Sequence, residues 1–449
     1  MTTVADLTQT LQTVFTTTAD ELARYTGFVQ RTSKLTEAAF AQALVFGWLA
    51  DPQATVEAQA QAAAAAGVAI SPQGLDQRCG EAGAVFLEHV LAAATRAVVA
   101  AADPVAIPLL ARFMAVRVLD SSTLALPAAL APWWPGCGGG ATPEATAAAL
   151  KVHVSLDLCR GTLQGPLLTD GRTHDRQTPL AAAPTTPGSL RLADLGFFDL
   201  RTFAQISAQD GYGLSRLHVL PTVVDAQGQA GDVLALLARQ GPQASDVALP
   251  VTLGVEQRLP ARLLAVRVPD AVANQRRRRL RAAAKRRGQT PSARALARAA
   301  WTLLVTNVPV ALLSLREALV LARARWQIEL LFKLWTSHGR SDESRSAKPW
   351  RILCEVYAKL LAMVVQHWLL LVGCGEYPDR SLVKAAHTVR QHALSLLSAL
   401  PCTAHLSATI AVIHRCLAVG CRLNRRKKKP TTYQLLLDPF HDPFPDALA

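Results

Sequence analysis

Three acidic residues, far apart in a chain of 449 residues, carry the chemistry that the sequence suggests: Asp120, Asp194 and Glu329. Carboxylates gathered in one place repel and raise one another's pKa, so such a group is tolerated chiefly around a divalent cation. Hard oxygen ligands with open coordination positions suit Mg²⁺, with Mn²⁺ as a substitute. Two such ions, about 4 Å apart, would activate a water or a 3′-hydroxyl and stabilise the leaving oxygen at a phosphodiester. Each residue alone has a plainer reading. An Asp that follows a strand is a common turn starter, and Glu329 four residues from both Arg325 and Lys333 would make a surface ion-pair ladder.

The elements around these residues decide whether they can meet. Ala115-Val116-Arg117-Val118-Leu119 is a compact β-type run that ends at Asp120, with Ser121-Ser122-Thr123 as the turn after it. Leu190-Arg191-Leu192-Ala193 is a second short strand that runs into Asp194, and Gly196 follows closely. Clean alternation over 151–158 predicts a two-faced strand, and 161–169 predicts the next strand of a meander before the turn Asp170-Gly171-Arg172. A helix is predicted over 199–209, and strands over 214–220 and 301–306. Strands first in a meander and then alternating with helices indicate a mixed α/β sheet. Glu329 would stand on one long helix beginning near Ser314, with Arg325, Glu329 and Lys333 as a charged ridge and Ile328, Leu331 and Phe332 packing beside it.

Charge points to the partner. A net charge of +14 is unusual for a metabolic enzyme and suggests a polyanion, nucleic acid before an acidic membrane surface. Eight cations fall within the twelve positions 276–287, among them Arg276, Arg277, Arg278 and Arg279, and a second basic run covers 425–429. As a solvated helix face such a run would do nothing; on a basic chain it suits phosphate contact. Residues 1–105 read as helical and Ala-rich. Within them a helix over 55–66, a break at Gly67 and a new helix opened by Ser71-Pro72 outline a helix-turn-helix, with Gln73, Gln77 and Arg78 as the side chains that would meet DNA.

The region 222–300 breaks the strand–helix rhythm and reads as an insertion, with short β runs at 248–253 and 263–268 and the basic helical stretch at 275–299. Helices are predicted over 349–374 and 379–400, and a loose, polar tail after Arg425. The most apolar window, 356–373, contains Lys359, Gln366 and His367 and reads as a buried helix rather than a membrane span. No charged stretch with an apolar core follows the first residues, so no signal peptide is expected. Eight cysteines without a C-x-x-C pair argue against a disulfide framework or a zinc site, and fit a reducing cytoplasm.

In this order and spacing the acidic segments resemble a known family. Val118-Leu119-Asp120-Ser121-Ser122, Leu192-Ala193-Asp194-Leu195-Gly196-Phe197-Phe198 and Arg325-Trp326-Gln327-Ile328-Glu329-Leu330-Leu331-Phe332-Lys333 are similar to the three acidic motifs of DDE transposases from bacterial insertion sequences, in the insertion-sequence-four group marked by a Tyr-Arg-Glu-Lys signature. Thr306-Asn307-Val308-Pro309 and the segment 168–175 resemble further family segments, and the likeness runs from about 30 to about 370. The resemblance implies an RNase H-like catalytic fold in two parts, 106–221 and 301–375, interrupted by a β-rich insertion at 222–300, with a helical DNA-binding region at 1–105 and a helical region and basic tail at 376–449. It implies cut-and-paste chemistry through a DNA hairpin, Mg²⁺ as cofactor, double-stranded DNA of the element's ends and of the target as partner, a homodimer in the DNA complex, and a cytoplasmic place at the nucleoid. A tryptophan opening the strand after the insertion would hold a flipped base, which makes Trp301 the candidate. Arg325 and Lys333 would grip phosphates near the cleaved end. The chain departs from the signature where Ala322 stands for its Tyr and Thr336 for its Lys. Two alternatives remain from sequence: a decayed or domesticated relative that binds DNA without cutting, and a metal-dependent nuclease without strand transfer.

Overall fold

The computed structural model describes the chain except residues 1, 29–34, 102, 139–146, 195, 218–221, 226, 242–243, 345, 376, 378, 425–429 and 441–449. The described residues include ten strands: β1 Val116–Leu126, β2 Ala148–Asp157, β3 Leu163–Asp170, β4 Leu190–Ala193, β5 Tyr212–Arg216, β6 Val223–Val224, β7 Ala230–Gly231, β8 Asp246–Leu253, β9 Leu259–Arg267 and β10 Trp301–Thr306. They hydrogen-bond in the order β3-β2-β1-β4-β5-β10-β9-β8-β6-β7. The predicted mixed α/β sheet is present. Its parallel pairs are β1 with β4 and β4 with β5, while β2 pairs antiparallel with β3 and the run β5-β10-β9-β8-β6-β7 is antiparallel throughout.

The chain forms two compact units. The first holds Met1–Ala106, Asp120–His174 and Ile328–Asn424; the second holds Ile107–Leu119, Asp175–Gln327 and Arg425–Ala449. In the first, the apolar helix Pro349–Cys374 packs against the helices Glu81–Arg96, Glu37–Ala50 and Thr403–Val419. It is long and apolar enough to cross a membrane, yet 89% of its most apolar window is buried inside the protein, as its interior Lys359 and Gln366 predict. Glu37–Ala50 is buried on every side from Ala38 to Leu49, with Thr36 as its N-cap.

In the second unit, β8, β9 and β10 share an apolar cluster that includes Val251, Leu263, Ala265, Leu303 and Val305. The two β runs expected inside the insertion therefore extend the sheet through β10, where Trp301 pairs with Arg267. Thr306 and Asn307 tie β10 to β5. Thr306 Oγ1 donates to Gly213 O at 2.7 Å, and the Asn307 amide accepts from Gly213 N at 2.7 Å while donating to Gly211 O at 3.0 Å. Gly213 is required there, because a Cβ would come 2.6 Å from the Phe203 ring.

Three expectations are corrected. The first strand does not end at Asp120: β1 continues through Ser121, Ser122 and Thr123 to Leu126, so the polar triplet is strand and not turn. The helix from Ser314 is not continuous. Leu315–Ala324 and Trp326–Lys333 are separated at Arg325, whose φ −51° and ψ −31° stay helical, so the hydrogen-bond ladder is interrupted more than the backbone path. The tail beyond 425 is not loose throughout, since Thr432–Leu437 is a helix closed by a Thr431–Gln434 capping box, with Leu435 and Leu436 buried and the helix resting on Leu315–Ala324. The basic run 425–429, Leu195 and the end of the strand predicted over 214–220 lie outside the described residues.

Candidate active site

The two aspartates follow from the parallel pair β1 and β4. In β1 and β4, Val116, Arg117 and Val118 stand opposite Leu190, Arg191 and Leu192. Asp120 is two residues beyond Val118 and Asp194 two beyond Leu192, so each follows the last registered pair by the same step and in the same direction. Asp120 lies within β1, where period-two alternation gives it the side-chain face of Val118, and Asp194 is the first residue past β4. Leu119 and Phe197 are 3% and 4% exposed and lie in one small apolar cluster with Ala181.

Local hydrogen bonds fix the two carboxylate-bearing segments. Asp120 Oδ1 accepts from Ser121 N at 2.9 Å. Beyond β4, Phe197 N donates to Asp194 O at 3.1 Å, closing the turn that the sequence expected after that strand. Arg117 and Arg191 face each other across the pair, and burial followed by that like charge pushes the Arg191 guanidinium down to about 10. This half-buried cation donates to Ala181 O at 2.8 Å. Its only signal in the sequence is an Arg on the strand that leads to Asp194.

Glu329 lies in the first turn of Trp326–Lys333 and is half-buried, while Ile328, Leu331 and Phe332 are buried as expected. Lys333 is exposed. The sequence set Arg325 beside Glu329; the structure brings its Nη2 to 3.9 Å from Asp194 Oδ2, with side-chain exposures of 15% and 38%. Asp120 and Glu329 fall in the first unit, Asp194 and Arg325 in the second. At the two signature positions that differ, Ala322 is half-buried on Leu315–Ala324, and Thr336 turns its hydroxyl back onto Phe332 O at 3.0 Å. Arg340 lies nearby in sequence, and its guanidinium is engaged by Glu343 Oε2 at 2.6 Å.

The donor chemistry suits a hard divalent cation, because all three groups are carboxylates. Among the described residues, however, no three His, Cys, Asp or Glu side chains converge closely enough to hold a metal ion.

The proposed DNA-facing residues divide. In the helix Asp270–Arg286, Arg276 is half-buried and donates to Trp301 O at 3.1 Å and Thr302 Oγ1 at 3.2 Å. Arg277 donates to Leu296 O at 3.1 Å and Asn274 Oδ1 at 2.8 Å. Arg278 and Arg279 are exposed. Trp301 is the first residue of β10 and packs against the apolar cluster of that sheet. In the first unit, Val56–Ala65 is the helix expected over 55–66, with Thr55 as its cap, and Pro72–Arg78 opens with the expected Ser71 cap and first-turn proline. Gln73 and Gln77 are exposed, whereas the Arg78 guanidinium carbon lies 5.9 Å from the Phe28 ring.

Comparison with known proteins supplies what the geometry leaves open. The family described as "Transposase DDE domain" matches residues 111–365. The chain is 26% identical over 444 residues to the transposase for insertion sequence element IS231F of Bacillus thuringiensis subsp. israelensis, covering 93% of this chain and 91% of that protein. It is 26% identical over 366 residues to the IS231B transposase of Bacillus thuringiensis subsp. berliner, covering 77% and 75%. With the IS1151 transposase of Clostridium perfringens it shares 21% over 278 residues, 58% of each chain.

Proposed function

The chain belongs to the transposase DDE-domain family, a DNA-acting and divalent-metal-dependent group, and we propose that it cuts the ends of an insertion sequence and joins them to target DNA through a hairpin intermediate. Asp120, Asp194 and Glu329 are the residues that would hold the ions, with Mg²⁺ preferred and Mn²⁺ accepted, and because no such trio converges among the described residues, holding them requires the carboxylates to draw together. When bound, the metal supplies an activated water or 3′-hydroxyl and stabilisation of the leaving oxygen. The observation that carries the reading is the β1–β4 register, which supports a pair of aspartates in equivalent positions, two residues past Val118 and Leu192. Five parallel and antiparallel strands in the order β3-β2-β1-β4-β5 support an RNase H-like catalytic core.

The chain's own residues have separate tasks. Arg325 holds a phosphate oxygen near the scissile bond, with its Nη2 3.9 Å from Asp194 Oδ2. Lys333 grips a second phosphate from the exposed side of its helix. Trp301 stacks a base turned out of the duplex at the hairpin. Arg278 and Arg279, with Arg276 and Arg277 anchoring their helix, run along the phosphate backbone. Gln73, Gln77 and Arg78 face the element's ends, a homodimer bridges both ends, and the work takes place in the cytoplasm at the nucleoid.

The test is nicking of DNA that carries the element's terminal repeats, in Mg²⁺ or Mn²⁺. Asp120→Ala, Asp194→Ala and Glu329→Ala should each abolish nicking while leaving end binding intact. Firm end binding by the unaltered protein with no nicking in either metal would instead favour the second reading, a transposase that binds without cutting. That reading has its own support, because Thr336 gives its hydroxyl to Phe332 O where the signature has a lysine. Cleaved ends that never become joined would point to a nuclease.

A further inference from the structure

The helix that carries Glu329 does not simply stop. It runs from Lys333 into a π-helix, Leu334–His338, and then into a turn where Arg340 adopts φ +47°. A π-helix is one extra residue in the ladder. Expelling that residue, so that the ladder returns to α-helical spacing, would turn the preceding helix by about 100° and displace it by about 1.5 Å relative to the turn, enough to carry a side chain off its target.

Two cations, Lys359 buried and Arg390 half-buried, oppose that slip. Lys359 has a side chain 2% exposed and balances its charge on Glu355 Oε1 at 2.7 Å. Its Nζ also donates to Arg340 O at 2.9 Å and to Glu343 O at 2.8 Å. Glu355 Oε2 accepts from Ser344 Oγ at 2.7 Å, so the pair holds the turn at three points. Arg390, whose guanidinium burial pushes below its ordinary range, donates from Nη2 to His338 O, the last carbonyl of the π-helix. Gly339 closes the other side, since a Cβ there would come 2.5 Å from Met363 Sδ. Every residue of this arrangement lies in the same compact unit as Glu329.

A buried ion pair is a poor source of stability, because the desolvation of two charges offsets their attraction. What it supplies here is location. Arg390 meets His338 O at the end of the helix, where carbonyls lack an intrahelical partner, and the Lys359 ammonium fixes two carbonyls of the turn that follows.

We propose that Lys359 and Arg390 are positioning residues for Glu329: they clamp the end of its helix and so set where its carboxylate stands. The inference rests on reading Glu329 as the third metal carboxylate. It predicts that loosening the clamp separates cutting from binding, since neither cation belongs to the DNA-facing set.

The experiment uses the full chain with Lys359→Met, Lys359→Arg and Arg390→Gln, read by hydrogen exchange, DNA-end binding and nicking against Mg²⁺ concentration. Lys359→Met should raise amide exchange over 326–344 about tenfold while leaving peptides of Glu37–Ala50 unchanged. Nicking should fall about 10- to 100-fold, with a higher Mg²⁺ concentration needed for half-maximal rate, and end binding should stay within about twofold. Lys359→Arg, which keeps a donor and a charge, should recover part of both losses. Should Lys359→Met fail to fold, Ser344→Ala removes only the bond to Glu355 and should shift exchange and nicking the same way by less. Wild-type exchange and nicking in folded Lys359→Met and Arg390→Gln would overturn the clamp. Glu329→Ala keeps the two ideas apart: if it nicks normally, the carboxylate reading fails; if it is dead while Lys359→Met cuts normally, only the clamp fails.

Discussion

The two helices Pro349–Cys374 and Asp270–Arg286 are opposites in composition, and each departs from its composition in the residues that matter. The first is apolar and buried, yet three of its polar side chains make specific bonds: Lys359 and Glu355 to the turn after Glu329, His367 to Gly161 O at 2.8 Å. The second is crowded with arginine, yet Arg276 and Arg277 are spent on backbone carbonyls and only their neighbours stay in solvent. Burial forces a polar group to find a partner, because an unpaired one costs free energy. Exposure forces nothing. A rare polar residue in an apolar helix is therefore more informative than a run of charges on a polar one.

The largest effect that tests this contrast is Glu355→Ala. It strands the Lys359 ammonium in a site where that side chain is 2% exposed, and removal of one partner of a buried pair costs about 3–5 kcal/mol. Urea unfolding should show a loss of that size, and Glu355→Met with Lys359→Met together should recover most of it. A loss below about 1 kcal/mol, the range of surface pairs, would mean that Lys359 is hydrated and the contrast false.

Arg276→Ala tests the other helix from its buried side. The guanidinium serves Trp301 O and Thr302 Oγ1, and leaving such groups unsatisfied costs about 1–3 kcal/mol. Thermal and urea unfolding should both register it. If Arg276→Ala proves neutral in stability and instead weakens DNA binding as strongly as an exposed arginine does, then this residue belongs with its solvated neighbours.

How much of this was legible in the sequence follows from the same contrast. Strand β4 and the aspartate after it were readable because Leu190-Arg191-Leu192-Ala193 is short and is stopped by Asp194 and Gly196. The extent of β1 was not, because Ser121-Ser122-Thr123 has turn composition and is kept in the strand by pairing that no local propensity reports. The buried nature of Pro349–Cys374 was legible from its apolar run and interior charges, whereas the partners of Lys359 lie 16 and 19 residues before it and depend on the fold. The break at Arg325 carries no Pro or Gly to announce it. Glu329 was singled out by its motif, whereas the bonds that Lys359 and Arg390 make beyond the end of its helix depend on the fold.

A smaller effect comes from His367, whose burial lowers its pKa from the ordinary 6.5 despite the bond to Gly161 O. In acid the unfolded chain takes up a proton that the folded chain resists, so stability is present above about pH 6.5 and is lost as pH falls. The slope from one such group cannot exceed about 1.4 kcal/mol per pH unit. His367→Gln, which can still donate to Gly161 O but does not titrate, should flatten the acid side of the stability profile; an unchanged profile would assign the acid loss to other groups.

The smallest effect on stability, and the sharpest on the comparison, belongs to Arg278 and Arg279. Both are exposed on a helix whose buried residues are only Val272 and Ala273, so removing either should leave unfolding within about 0.5 kcal/mol of the unaltered protein. Their contribution should appear instead in the salt dependence of DNA binding. Each phosphate contact releases counterions, so each arginine lost from such a contact should lower the slope of log K against log salt by about 0.9 on duplex DNA. Arg276→Ala should do the reverse, costing stability and leaving that slope nearly unchanged. If all three substitutions lower the slope alike, the helix acts as a uniform cationic rod and the carbonyls it serves are incidental. If only Arg278 and Arg279 do so, the run of like residues contains two functions, divided by which side of the helix meets the protein.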